Sequence, residues 1–281
     1  MRIHLDCFPC FLRQSIIALR LGTEDESLQK AILVSTLENI RQADTSKPPA
    51  YTTTFIHRKI RQLLGKDPFK DIKSEYNQIS LRMYPSLKAA VANSPDPLWT
   101  SVRLAIAGNV IDFGIFTSVD VEGTVSRALN GRLAIDDYIS LRDAVSDTEE
   151  ILYLADNAGE IVFDRILIET LMQLGKKINV VVKGSPVIND ATMTDAEESG
   201  LTGICEVIDN GSEAVGTILE WTSPFFQDMF KNARLIVSKG QGNFETLTGT
   251  KKNIFFLFQS KCDVVSKELG LPTGSMLLRK S

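Results

Sequence analysis

The stretch ILYLA-DNAGE-IVFDRILIETLMQL, residues 151–174, decides how this chain is read. It opens on five apolar residues in a row, enough for a buried strand. Five polar or small residues follow, ending in Gly159-Glu160. From residue 161 the apolar positions recur at three-to-four spacing, the period of a helix with one buried face. Strand, tight loop and amphipathic helix make one β-α unit. Towards the C-terminus the rhythm repeats. Apolar runs at 178–182, 204–208, 235–237 and 254–258 alternate with amphipathic segments at 191–199, 213–221, 225–230 and 264–269. This alternation predicts an α/β fold, a three-layer α/β/α sandwich around a mostly parallel sheet.

Towards the N-terminus the pattern is helical throughout. Segments 8–21, 28–40, 55–64 and 72–91 carry apolar residues at helical spacing, punctuated by Pro48-Pro49, Asp67-Pro68 and Pro95-Asp96-Pro97. A further helix over 99–106 runs into Gly108-Asn109. An all-α N-terminal subdomain over 1–95 and an α/β domain over 96–281 are therefore expected.

Composition narrows the function classes. The 281 residues are 43% apolar and 23% charged, as in an ordinary globular protein. The net charge is −4 and the basic residues are dispersed, which argues against nucleic acid or an anionic membrane as partner. The N-terminus carries Asp6 and no long apolar core, so no signal peptide is expected. No run approaches the roughly 18 apolar residues of a membrane span. Four cysteines without an export signal fit a reduced, cytoplasmic setting. Two histidines are too few for a histidine-rich metal centre or a catalytic triad, and His57, beside Arg58, Lys59 and Arg61, reads as a solvated surface residue. Neither a G-x-G-x-x-G nor a G-x-x-x-x-G-K-[ST] pattern occurs.

Open α/β sheets bind ligands beyond the carboxyl ends of their strands. Three polar loops follow apolar runs there: 156–160, 183–190 and 238–243. Carboxylate and amide oxygens of Asp156, Asn157 and Asp190 are hard donors suited to Mg²⁺, Mn²⁺ or a similar ion. Gly159 turns the chain into a helix beginning near Glu160, and a helix start favours an anion. Lys183 and Lys239 offer charge to phosphate oxygens, while Gly240 and Gly242 permit close backbone approach. Acids for a metal beside lysines for an anion describe a phosphate-ester site. The plainer reading is that Asp156-Asn157 forms a turn and Asn189-Asp190 caps the next helix.

The motifs D-N-A-G-E at 156–160, I-N-D-A-T-M-T-D at 188–195 and S-K-G-Q-G-N-F-E-T-L at 238–247 resemble the domain-of-unknown-function 89 family, the metal-dependent damage-control phosphatases. G-N-V-I-D-F-G at 108–114 and K-C-D-V-V-S-K-E-L-G at 261–270 fit too, and C-F-P-C at 7–10 is similar to its archaeal and bacterial branch. The resemblance implies a divalent metal (Mn, Co, Ni or Mg) on Asp156, Asn157 and Asp190. It implies a substrate pocket using Asn109 and Asp112, a lysine facing the substrate phosphate at Lys239, and a recurring acid at Asp195. Gly159, Glu160, Lys183, Gly240 and Asn243 complete the expected phosphate-binding set, with Asp156, Asp190 and Lys239 as catalytic residues. The implied activity is hydrolysis of a small phosphorylated metabolite, a sugar phosphate or a phosphorylated cofactor precursor. Some eukaryotic relatives carry D-N-A-G-F-E where this chain has D-N-A-G-E, and were proposed to be carboxyl methyltransferases. S-adenosylmethionine-dependent methyl transfer and non-catalytic sugar-phosphate binding are therefore the competing readings.

Cys7 and Cys10 form a C-x-x-C three residues after His4. A zinc site needs four ligands, and Cys205 and Cys262 lie far along the chain. Buried thiols at a helix start are the simpler expectation.

Overall fold

The computed structural model describes residues 1–110, 125–126 and 129–281. Five helices come first: α1 (Cys7–Gly22), α2 (Glu26–Arg41), α3 (Pro49–Leu64), α4 (Lys70–Ala92) and α5 (Pro97–Val110). Local signals set their ends. Asp25 caps α2 by accepting from the Ser27 and Leu28 amides at 2.9 and 3.1 Å. Pro49 opens α3, where its missing N–H costs nothing.

The sheet has seven strands in the order β1-β7-β6-β5-β2-β3-β4. They are β1 (Ile135–Asp136), β2 (Glu150–Leu154), β3 (Lys177–Val182), β4 (Glu206–Asp209), β5 (Ile236–Lys239), β6 (Ile254–Gln259) and β7 (Met276–Lys280). Between them run α6 (Tyr138–Ser146), α7 (Glu160–Gln173), α8 (Met193–Glu198), α9 (Pro224–Asn232), α10 (Gln241–Leu247) and α11 (Asp263–Leu269). Among the described strands only the β6–β7 pair is antiparallel.

Strand alternation builds the three layers. Ile151, Tyr153, Val180, Val182, Val237, Phe255 and Leu257 point to one face, against α5, α6 and α7. Leu152, Leu154, Val181, Ile236, Phe256 and Phe258 point to the other, against α9 and α10. With both faces covered, each strand reads as an unbroken apolar run. Helices α1 to α3 gather a separate core around Phe11, Ile32, Ile56 and Ile60, joined by Val264 of α11. Helix α4 instead lies on α5 and α7 through Tyr76, Leu87, Leu104 and Phe163.

Two expectations are corrected. Residues 213–221 do not form a helix; only Leu219–Trp221 makes a 3-10 turn. The backbone amides there bond to other elements instead: Val215 to Thr54 Oγ1 at 3.0 Å and Thr217 to Thr246 Oγ1 at 2.9 Å. Gly216 adopts φ +65° against the Gly242 carbonyl, where a Cβ would clash. His57 is not a surface residue: it is 2% exposed, packed beside Phe69, and burial pushes its pKa down to about 3. The short strands β1 and β7, too brief or too charged at their ends to stand out, extend the sheet beyond β6.

Candidate active site

From β2 the chain moves through β3 to β4 on one side of the sheet; β5 and β6 lie on the other. The crevice between the carboxyl ends of β2 and β5 is thus a topological switch point, where such sheets bind ligands. Asp156 follows β2 at this crevice and Gly240 follows β5. Gly240 has φ +81° and ψ 158°, a region open essentially to glycine alone. A Cβ there would lie 1.9 Å from Asp156 Oδ2. The glycine is required by the carboxylate beside it.

The 183–190 loop is stitched to Asp156 through the main chain. Ala191 N–H donates to the Asp156 carbonyl at 2.7 Å, and Ala158 N–H donates to the Asn189 carbonyl at 2.9 Å. This brings Asp190 beside Asn157. Ile188 reaches φ +46° on the way, an uncommon conformation for a β-branched residue.

The side chains converge from four elements. Asn109, near the end of α5, donates from Nδ2 to Asp156 Oδ2 at 3.1 Å and to Glu160 Oε2 at 2.9 Å. Asn157 Nδ2 donates to the same two oxygens at 2.8 and 2.9 Å. Lys183 Nζ lies 3.3 Å from Asp190 Oδ2 and donates to the Gly216 carbonyl. Lys73 of α4 donates to the Asp190 carbonyl at 3.2 Å.

Negative charge is in excess here. Burial, then Glu160 and Asp190, holds the Asp156 carboxyl well above the usual carboxylate range, against the pull of Lys261 and Lys183. Burial also raises Asp190, although Lys183 and Lys73 oppose it. Asp190 Oδ2 is buried and makes no hydrogen bond, the 3.3 Å approach of Lys183 being a charge contact only. Two crowded carboxylates, one with an orphaned oxygen, and a neighbouring amide suit a hard divalent cation. Mg²⁺-like ions are commonly held by one or two carboxylates with water and substrate completing the shell. Among the described residues, no three His, Cys, Asp or Glu side chains already form a metal cage.

Beneath this mouth lies a second charge cluster. Lys239 is fully buried and its ammonium donates to the Ala105 carbonyl at 2.8 Å, to Glu160 Oε1 at 2.6 Å and to Asp164 Oδ1. Its three protons are all used within the protein, so it braces Glu160 and offers no free donor at the mouth. Burial lowers its pKa, but Asp164 and Glu160 outweigh that and the net shift is upward. Burial raises Asp164 to about 7, even with Lys239 beside it. Tyr153 donates to Asp164 at 2.8 Å.

Other expected residues also hold the frame. Glu160, expected to bind phosphate, is a buried carboxylate that orients Asn109 and Asn157. Asp195 accepts from Thr192 N and Oγ1 at 2.8 and 2.7 Å as the acid of a helix capping box, and pairs with Lys73 at 2.9 Å. Asn243 donates to the Lys239 carbonyl at 2.8 Å and accepts from Thr217 at 2.7 Å, tying two loops together. Asp112 lies outside the described residues.

The comparisons with known proteins fit this geometry. Residues 3–277 match the damage-control phosphatase ARMT1-like domain. The chain belongs to that family. A damage-control phosphatase from Pyrococcus horikoshii is 32% identical over all of this chain and 99% of its own length. A damage-control phosphatase from Archaeoglobus fulgidus is 32% identical over 99% of each chain. A protein of Methanocaldococcus jannaschii without an assigned function is 37% identical over all of this chain and 96% of its own. The crystal structure of a DUF89 family protein from Pyrococcus horikoshii superposes with a TM-score of 0.89 at 33% identity, covering 100% of this chain and 99% of that one. The DUF89 resemblance and the α/β sandwich read from the sequence are thereby borne out.

Sequence reasoning missed Asp164, Lys73, Asn77 and Lys261. Asp164 stands four residues after Glu160, one helical turn along the same face. Lys73 and Asn77 share that spacing on α4, and Asn77 Oδ1 accepts from the Gly159 amide at 2.7 Å. Lys261 was quoted only as part of a motif, yet its charge acts on Asp156.

Proposed function

We propose that this protein is a metal-dependent phosphatase that hydrolyses a small phosphorylated metabolite, a sugar phosphate or a phosphorylated cofactor precursor, in the service of metabolite damage control. The observation that carries this reading is the crowding of two buried carboxylates, Asp156 and Asp190, at the switch point, only partly offset by Lys183. A carboxylate pair buried without enough hydrogen bonds is costly unless a cation joins it. In the proposed complex Asp156, Asp190 and Asn157 hold a divalent ion. Such an ion, when bound, supplies Lewis acidity towards the phosphoryl oxygens. Glu160 and Asn109 fix the orientation of Asn157 and Asp156. Lys183 and Lys261 place positive charge beside the acids, where it offsets the charge of an arriving phosphate. Lys239 acts one layer deeper, holding Glu160 in place.

The test is a panel of phosphorylated metabolites assayed with Mn²⁺, Mg²⁺, Co²⁺ and Ni²⁺ in parallel, on wild type and Asp156→Ala. Phosphate release that needs a metal and drops by at least about 10²-fold in the variant is expected. Equal release with chelator present would overturn the reading. Phosphate-ester binding without turnover would point to a sensor, and product methylation with S-adenosylmethionine to methyl transfer.

A further inference from the structure

Helix α1 opens on Cys7, and Cys10 follows one turn later on the same side. The sequence offered these thiols no nearby partner, because Cys262 stands some 250 positions away in the chain. The fold removes that distance. Cys262 immediately precedes α11 and packs into the same core as Cys7, Phe11 and Val264. Glu245 of α10 joins them. It is buried, and its Oε1 accepts from Gln241 Nε2 at 2.8 Å, while the same nitrogen stands 3.6 Å from Cys262 Sγ.

These four groups all become negative on ionising, and they sit within electrostatic reach of one another. Burial raises Cys7, with Glu245 and Cys262 adding to it. Cys10 is exposed as a residue, yet crowding around its sulfur, then Cys262, Cys7 and Glu245, pushes it up to about 11. Burial lifts Glu245 to about 7. The opposing charges are slight: Arg13 for Cys10 and the N-terminal amine for Glu245. Each sulfur is held only by a weak hydrogen bond. Cys7 accepts from the His4 amide at 3.4 Å, Cys10 from Gln14 Nε2 at 3.6 Å and Cys262 from Gln241 Nε2.

Two thiols on one helical turn plus a third from another element are a soft donor set, suited to zinc and unsuited to magnesium. A bound cation turns every mutual repulsion in the cluster into attraction and deprotonates the thiols it touches. We propose that Cys7, Cys10 and Cys262, with Glu245 as fourth donor, form a binding site for a soft divalent cation, zinc by preference, distinct from the Asp156–Asp190 site. The sulfurs do not already converge as a cage among the described residues. Loading therefore turns them away from Gln14, Gln241 and the His4 amide. The ion would pin the first turn of α1 to α10 and α11. It would also stiffen Gln241, whose Oε1 accepts from the Lys261 amide at 2.8 Å.

The experiment uses the full chain purified without chelator, with metal content measured by mass spectrometry. About one equivalent of zinc is expected in wild type and in Asp156→Ala, and under about a tenth in Cys262→Ser. Replacement by Co²⁺ should give thiolate-to-cobalt charge-transfer absorption and the strong visible bands of tetrahedral coordination. Zinc content equal in wild type and Cys262→Ser, or no charge-transfer band in wild type, would overturn the proposal. So would a disulfide from Cys262 to Cys7 or Cys10 in protein isolated without oxygen. If Cys262→Ser does not fold, the wild-type cobalt spectrum decides alone. None of these readouts depends on phosphatase activity.

Discussion

Two charged clusters lie one above the other in this molecule and are solved in opposite ways. Around Lys239 one ammonium meets two carboxylates and a carbonyl and all its protons are used, although Asp164 Oδ2 is left without a hydrogen bond. Around Asp156 and Asp190 acids outweigh bases, and an oxygen of Asp190 is left without a hydrogen bond. The first arrangement has its cation built in and serves as a brace. In the proposed complex a divalent ion would complete the second. Both use the same residue types, so the placing of the ammonium between its acids, not composition, separates the two clusters.

The strongest way to break this contrast is to unbalance the lower cluster. Lys239→Met should leave Glu160 and Asp164 buried without their cation and cost about 3–5 kcal/mol in urea denaturation. Adding Asp164→Asn should recover part of that loss. A Lys239→Met protein as stable as wild type would show that the lysine is not a brace. The boundary between the clusters is probed by Gly240→Ala, whose new methyl must displace the Asp156 carboxylate. Mn²⁺ affinity by titration calorimetry should fall at least about tenfold, about 1.4 kcal/mol, with a stability loss of about 1–3 kcal/mol from the forced backbone conformation.

A milder change sharpens the upper cluster. Asp190→Asn keeps the shape but removes a charge, so Mn²⁺ binding should weaken by about tenfold while the urea midpoint holds or rises. Unchanged affinity would reduce Asp190 to a loop residue. The last effect appears only as pH falls and concerns His57, a buried base with no partner for Nε2. Its folded-state pKa, about 3, lies below the ordinary 6.5, so the unfolded chain binds the extra proton between those values. Stability is then full above pH 6.5 and falls towards pH 3, by up to about 1.4 kcal/mol per pH unit. His57→Leu should flatten that dependence in urea midpoints measured between pH 7.5 and 4.5.

The sheet was legible because its strands are buried on both faces, so runs such as 151–155 and 254–258 needed no periodicity to be seen. The polar loops at this sheet edge were legible because Asp156 interrupts apolar sequence just after β2 and Asp190 closes the polar loop that follows β3. The burial of Lys239 was legible in strand alternation: it shares a face with Leu235 and Val237, which point to the α5–α7 layer. His57 was misjudged. The residues that follow it in sequence are basic, but its neighbours on the helix include Thr53, Thr54 and Ile60, all buried. The meeting of Cys262 with Cys7 had no local signal, since only the tertiary fold brings α1 against α11.

The main-chain stitches between the 156–160 and 187–191 loops carry one more consequence. Ala191 N–H and Ala158 N–H tie the two acids through backbone, not through their own side chains. The gap between Asp156 and Asp190 is therefore a ruler cut into the polypeptide. In the proposed complex these loops would set the spacing of the two acids, and with it the ionic radius accepted, while the ligands' own chemistry would set how strongly the ion is held.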